Sequence, residues 1–315
     1  MRCSVIITHV NQPVMLKTVI SQIKRYSHPE VQHDIIVVDQ SLQTIFEQIK
    51  AENTALDMVM VHAPKIDPGY AINIGIQHAT GEFCCTLDCD AFPINKNWLL
   101  VPINLIQKNG FAIVGHSTGL DVSYKHKGDF LELNNYYRVC RTSLAKRVAE
   151  DVGFMRPHAR GMASFSPKNK DYENTSLSVA NMPLDYGDVG VVANWYIDNK
   201  KLGTKLALKM TKCLGVCKEY GGTYGMILDN LVFHLSLGYA EDYMSPESML
   251  RLGEEFLKIK KLVNNGVNGD VIDKLVAQCS HDPGQPRIMS VIDGVWKKEY
   301  VPESLNKEIE VAINS

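Results

Sequence analysis

The 315-residue sequence predicts an α/β fold, a mostly parallel sheet flanked by helices with a mostly helical C-terminal extension. Three observations predict it. Strand-like and helix-like patterns alternate as β-α-β-α-β-α-β over the first 90 residues, the order in which crossover helices join parallel strands. The strand segments are continuous apolar runs, which suit strands buried on both faces. Apolar residues make up 45% and charged residues 22%, globular proportions in a chain long enough to bury a large core without staples.

Residues 2–8 (RCSVIIT) are a β-branched run, the first strand. Val14, Leu16, Val19, Ile20 and Ile23 then share one helical face over 13–26. DIIVVD at 34–39 is the second strand, followed by a helix near 43–52 and a strand at 57–62. Asp67 and Pro68 read as the cap and first turn of a helix that ends by Gly81. EFCCTLD at 82–88 is the fourth strand. A helix near 97–108, a strand at 111–115, and a strand in 134–141 running into a helix at 142–152 come next. Residues 155–182 are polar and aperiodic, and a loop of this length is usually functional or disordered. Helices near 188–201, from Pro246 to about 263, and over 269–278 are expected, with a strand at 205–211 and apolar character over 223–237. The last 35 residues carry weak signals.

The formal net charge of -2 gives no general field for nucleic acid or anionic membrane. No apolar run approaches the roughly 20 residues of a membrane span, and the N-terminal apolar stretch is too short for a signal peptide. A cytoplasmic location is therefore expected. The eight cysteines form no CxxC pair and read as reduced core residues rather than zinc ligands. A dinucleotide-binding GxGxxG does not follow the first strand, and no GxxxxGK[ST] phosphate loop is present.

In open parallel sheets, ligands bind at the carboxyl ends of the strands. Those ends supply Thr8, His9, Asp39, Asp88 and Asp90. Asp88 and Asp90 are two apart, so an extended backbone points both to one side. Carboxylates that close repel unless a cation or protons intervene, and hard divalent ions take such oxygens. Two solvated aspartates in a turn are the alternative. Asp39 is placed to accept hydrogen bonds from a base or ribose, or to cap a turn.

These residues are similar to the glycosyltransferases of the GT-A fold, close to the family-2 group. The resemblance rests on four motifs in order: SVIITHVNQP with Asn11, VVDQS with Asp39, the helix Tyr70-Ala71-Ile72-Asn73-Ile74-Gly75-Ile76-Gln77-His78-Ala79-Thr80-Gly81-Glu82, and LDCDA as a DxD signature. It is close over 2–100, loose over 130–240, and absent from the C-terminal 70 residues. Ile72 stands where the family often has Arg, so a diphosphate contact is sought at Lys65 or a later Arg.

The resemblance implies a Rossmann-like GT-A domain over 1–244, divided into a nucleotide-sugar half (1–100) and an acceptor half (101–244), with 245–315 as the extension. It implies a hexosyl- or pentosyltransferase using a nucleotide-diphosphate sugar, with UDP presumed, and Mn²⁺ or Mg²⁺ as cofactor. Asp88, Asp90 and His234 would hold the metal, the last as the late histidine many such enzymes carry. Thr8, Asn11, Asp39, Asn73 and Asp88 would line the nucleotide. Asp188, with Asp185 as fallback, would be the base in an inverting single displacement. Asp185, Asp188 and His234 also have a plain structural reading: a cap of the helix at 188–201 for either aspartate, a satisfied core histidine for His234. Most of Lys200, Lys201, Lys205, Lys209, Lys212, Arg138, Arg141, Arg147, Arg156 and Arg160 read as a solvated face, with one or two left to hold diphosphate. The acceptor hydroxyl is open among glycan, small molecule, protein and modified base. A retaining enzyme, a nucleotidyltransferase and a non-catalytic nucleotide-sugar scaffold are the competing readings.

Overall fold

The computed structural model describes residues 1–54, 57–63, 68–117, 133, 136–153, 191–214, 225–235, 268–280, 287–293 and 295–315. The first half follows the predicted alternation: β1 (Arg2–His9), α1 (Pro13–Arg25), β2 (Gln32–Asp39), α2 (Gln43–Glu52), β3 (Val59–His62), α3 (Pro68–His78) and β4 (Phe83–Asp88). Then come β5 (Ala91–Pro93), α4 (Leu100–Asn109), β6 (Ile113–His116), β7 (Tyr137–Arg141) and α5 (Thr142–Asp151). The later elements are α6 (Val191–Asn199), β8 (Lys205–Leu208), β9 (Met210–Leu214), β10 (Gly225–Leu228), β11 (Val232–His234), α7 (Gly269–Gln278), β12 (Ile288–Asp293), β13 (Val295–Tyr300) and α8 (Glu303–Asn314).

Among the described residues, nine strands form one sheet in the order β13-β12-β8-β6-β7-β4-β1-β2-β3. β1, β2, β3 and β4 are mutually parallel, as are β6 and β8. Only β7 and β12 run against the rest, so the sheet is mostly parallel in direction. The continuous apolar strands are buried on both faces, as their composition requires. On β1, Val5 and Ile7 join a core with Leu16 and Val19 of α1 and Trp98, whereas Ile6 joins one with Ile72 and Ile76 of α3 and Val148 of α5.

Two glycines of the helix motif are explained by space. A Cβ on Gly75 would sit 2.2 Å from Ile6 Cγ2, so α3 lies directly on β1. A Cβ on Gly81 would meet the Ser4 backbone nitrogen at 2.7 Å.

A second sheet, β5-β11-β10-β9, stands beside the first. The run read as one strand at 205–211 divides at Lys209: β8 joins the large sheet and β9 the small one. The C-terminal segment holds the helices α7 and α8 and also a hairpin that sequence reasoning missed. That hairpin joins the large sheet through Ile288↔Ala207 and Met289↔Leu206. The expected boundary near 244 and the helix from Pro246 lie outside the described residues. All seven described cysteines are free and buried, as expected of core thiols. Among the described residues, no helix is long and apolar enough to cross a membrane.

Candidate functional site

The carboxyl ends of β1, β2, β3, β4 and β6 bring Thr8, His9, Asp39, His62, Asp88 and His116 to one rim of the large sheet. Asp88 closes β4, Asp90 lies in the following turn, and β5 starts at Ala91. β5 pairs antiparallel with β11, setting Ala91 opposite His234, and the Leu235 N–H donates to the Asp90 carbonyl at 2.9 Å. This pairing carries a distant histidine to the two aspartates.

One ligand-type atom from each of Asp88, Asp90 and His234 lies within 4.8 Å of the others. His234 Nε2 is 3.4 Å from Asp90 Oδ1, and both residues are buried. Asp88 is half-buried and accepts a 3.1 Å hydrogen bond from Thr8 Oγ1. Two carboxylates and an imidazole this close form a donor set that fits a divalent cation, which relieves the repulsion between like charges. An imidazole nitrogen is in general a better donor to Mn²⁺ than to Mg²⁺.

Tyr136, just before β7, touches two members of the cluster. Its ring stacks on the His234 imidazole, with centroids 4.0 Å apart and planes at 3°. Its carbonyl accepts a 3.1 Å hydrogen bond from the Asp88 N–H. The ring of buried His116 lies 5.0 Å from that of Tyr136. Neither nitrogen of His116 has a hydrogen-bond partner among the described residues. Burial, with a smaller push from His234, lowers the His116 pKa from 6.5 to about 3. His116 is therefore neutral at physiological pH and brings no positive charge to the site.

At the carboxyl ends of β1 and β2, Asp39 caps a turn, one of the two readings its sequence position allowed, and also pairs with His9. Asp39 is 0% exposed and both of its oxygens are engaged, one by His9 Nδ1 and the other by the Ser41 N–H at 2.8 Å. His9 Nε2 accepts from the Gln12 N–H at 3.1 Å, so the ring proton sits on Nδ1 and points to Asp39. Burial alone pushes the Asp39 carboxyl up, but the His9 and Ser41 bonds outweigh it and leave the pKa below its usual value. Asn11, at φ 51°, donates its N–H to Ser41 Oγ at 2.8 Å, tying the loops after β1 and β2 together. Asn73 is buried on α3.

Asp185, Asp188, Lys65 and the 155–182 segment lie outside the described residues. Of the basic residues, Lys205 departs from the solvated face expected of it. It lies on β8 inside the sheet, fully buried, with Nζ 2.8 Å from Asp198 Oδ2. Arg138 is also buried, and Arg141 pairs with Glu82 at the surface. Sequence reasoning missed Tyr136 and His116. His116 directly follows the apolar run FAIVG, which was a usable signal, whereas the contacts of Tyr136 depend on the β4–β7 pairing.

The family model described as glycosyl transferase family 2 matches residues 4–164, half of the chain. No curated protein matches the chain. Among solved structures, the mannosyltransferase PcManGT of Pyrobaculum calidifontis, in complex with GDP-Man and Mn²⁺, is 16% identical at a TM-score of 0.38, over 46% of each chain. Residues 1–349 of S. aureus TarS in complex with UDP are 20% identical at a TM-score of 0.37, covering 49% of this chain and 50% of that one. Mycobacterium tuberculosis glucosyl-3-phosphoglycerate synthase with Mn²⁺ and UDP-Glc is 14% identical at a TM-score of 0.38, covering 49% and 59%.

Proposed function

The chain belongs to glycosyl transferase family 2, and on that premise we propose that this glycosyltransferase of the GT-A fold moves a sugar from a UDP-sugar to an acceptor hydroxyl by an inverting single displacement. The observation that carries the donor and metal side of this reading is the convergence of Asp88, Asp90 and His234 within 4.8 Å. These three residues would hold a divalent cation, which would supply Lewis-acid neutralisation of the leaving diphosphate. Thr8 orients Asp88 through its 3.1 Å hydrogen bond. The His9–Asp39 pair and the Asn11–Ser41 bond hold the two loops at the rim, giving the nucleotide a fixed floor. On this reading Asp39 serves the nucleotide through that floor. Asn73, buried on α3, is assigned to the nucleotide by the family motif.

The base is assigned from the sequence. Asp188 takes the proton of the attacking hydroxyl, with Asp185 as fallback, and a positioned base contributes about 10²–10⁴-fold. The acceptor is a hydroxyl on a glycan, small molecule, protein or modified base.

The first test is thermal stability with UDP-, GDP- and CMP-sugars, each with Mn²⁺, Mg²⁺ or EDTA. A ligand at 100 times its Kd stabilises the fold by about 2.7 kcal/mol. A UDP-sugar shift that needs Mn²⁺ and disappears in Asp90→Ala is expected. No shift with any donor would sink the reading. With a donor in hand, Asp188→Asn should lower kcat by about 10²-fold or more and leave donor binding intact. An equal loss in Asp185→Asn alone would move the role to Asp185.

A further inference from the structure

We propose that Tyr136 is a positioning residue for the cation site: its ring fixes the plane of the His234 imidazole, and its carbonyl fixes the turn that carries Asp88. The inference rests on reading Asp88, Asp90 and His234 as metal ligands. An imidazole binds a cation through a lone pair in its ring plane, so rotation of the ring swings the donor away from the site. Ligating histidines are generally oriented by groups beyond the metal. Here a flat ring lies parallel to His234 at 4.0 Å and 3°, which restricts that rotation.

The same residue receives the Asp88 N–H at 3.1 Å, so one residue sets both a carboxylate and an imidazole. The β5–β11 pairing links the two as well. Tyr136 is itself held from two directions. It continues directly into β7, which is registered against β4 through Leu87↔Tyr137, and His116 packs on its ring at 5.0 Å. The stack joins Tyr136, beside β7 of the large sheet, to His234 on β11 of the small one.

The test is Mn²⁺ affinity of the full chain without donor, read from the EPR signal of free Mn²⁺. Wild type, Tyr136→Phe and Tyr136→Leu are compared, alone and in a His234→Ala background titrated to millimolar Mn²⁺. Tyr136→Phe keeps the flat face and should stay within about twofold of wild type, while Tyr136→Leu should bind about 10–100-fold more weakly. In the His234→Ala background the Leu change should cost less than about twofold, because the ring acts through His234. Equal losses in both backgrounds would make the effect a general structural one and overturn the inference. Unchanged affinity in Tyr136→Leu would overturn it too. Should that variant fail to fold, Tyr136→Met, similar in volume but without a flat face, takes its place. Wild type that binds no Mn²⁺ overturns the metal reading itself, an outcome distinguished from the others by the wild-type titration alone.

Discussion

His116 ties a part of the protein's acid stability to its ring. Its pKa is about 3 in the folded chain against 6.5 when free, because burial disfavours the charged form. As pH falls through 6.5 the unfolded chain takes up a proton that the native state refuses until about pH 3. The stabilising state is thus complete above 6.5 and is lost toward acid, by about 2 kcal/mol between pH 7 and 5. Urea unfolding in EDTA at those two pH values should show wild type losing about that much more stability than His116→Phe. Equal losses would mean that the ring titrates normally. At this scale residue type and strand position single out Asp88 and Asp90, the family resemblance adds His234, and the structure brings the three together. The sequence does not reveal partners. Asp39 and His9 face each other because β1 and β2 align His9↔Asp39, and register is not written in either strand alone.

Among the elements, the contact of α3 with β1 is the tightest test of packing. Ile6 is 0% exposed, and its branch at Cβ leaves Cγ2 no room to retreat from a methyl on Gly75. Alanine brings better helix propensity, worth at most about 1 kcal/mol. Overpacking costs about 1–3 kcal/mol and should win. Gly75→Ala is therefore expected to lower Tm, and combining it with Ile6→Ala should cost less than the two changes added together. Additive losses would mean that Ile6 is not the obstacle. Long periodic helices and apolar strands were legible: α2 and α7 match their expected spans and α1 ends one residue early. No span was expected for α8, for β5, three residues ending in proline, or for the β12–β13 hairpin, whose charged VWKKEY strand lies at the sheet edge. Short edge strands owe their form to the neighbour they pair with, which local pattern cannot supply.

Across the whole molecule, the C-terminal segment is fastened to the small sheet by one buried ion pair. Arg287 holds Asp229 with Nε and Nη2 at 2.6–3.1 Å, and Nη1 reaches Asn306 Oδ1 at 2.7 Å. Asp229 sits at φ 47° in the turn between β10 and β11, so the fastening reaches the hairpin that ends in His234. Removing one partner of a buried pair strands the other charge and costs about 3–5 kcal/mol. Arg287→Ala should lower stability in denaturant melts by that amount. Arg287→Lys should fall in between, because an ammonium cannot reproduce the two-pronged contact. A loss below about 1 kcal/mol would place the pair among weak surface bridges.

The antiparallel match of Ala91 with His234 also sets a schedule. Asp90 leaves the ribosome about 140 residues before His234, a delay of roughly 7–30 s at about 5–20 residues per second. A nascent chain therefore displays two close carboxylates for seconds without their imidazole, and the intact three-residue cluster forms only once β11 has docked. Tight cation uptake would then date the moment at which the two sheets close on each other.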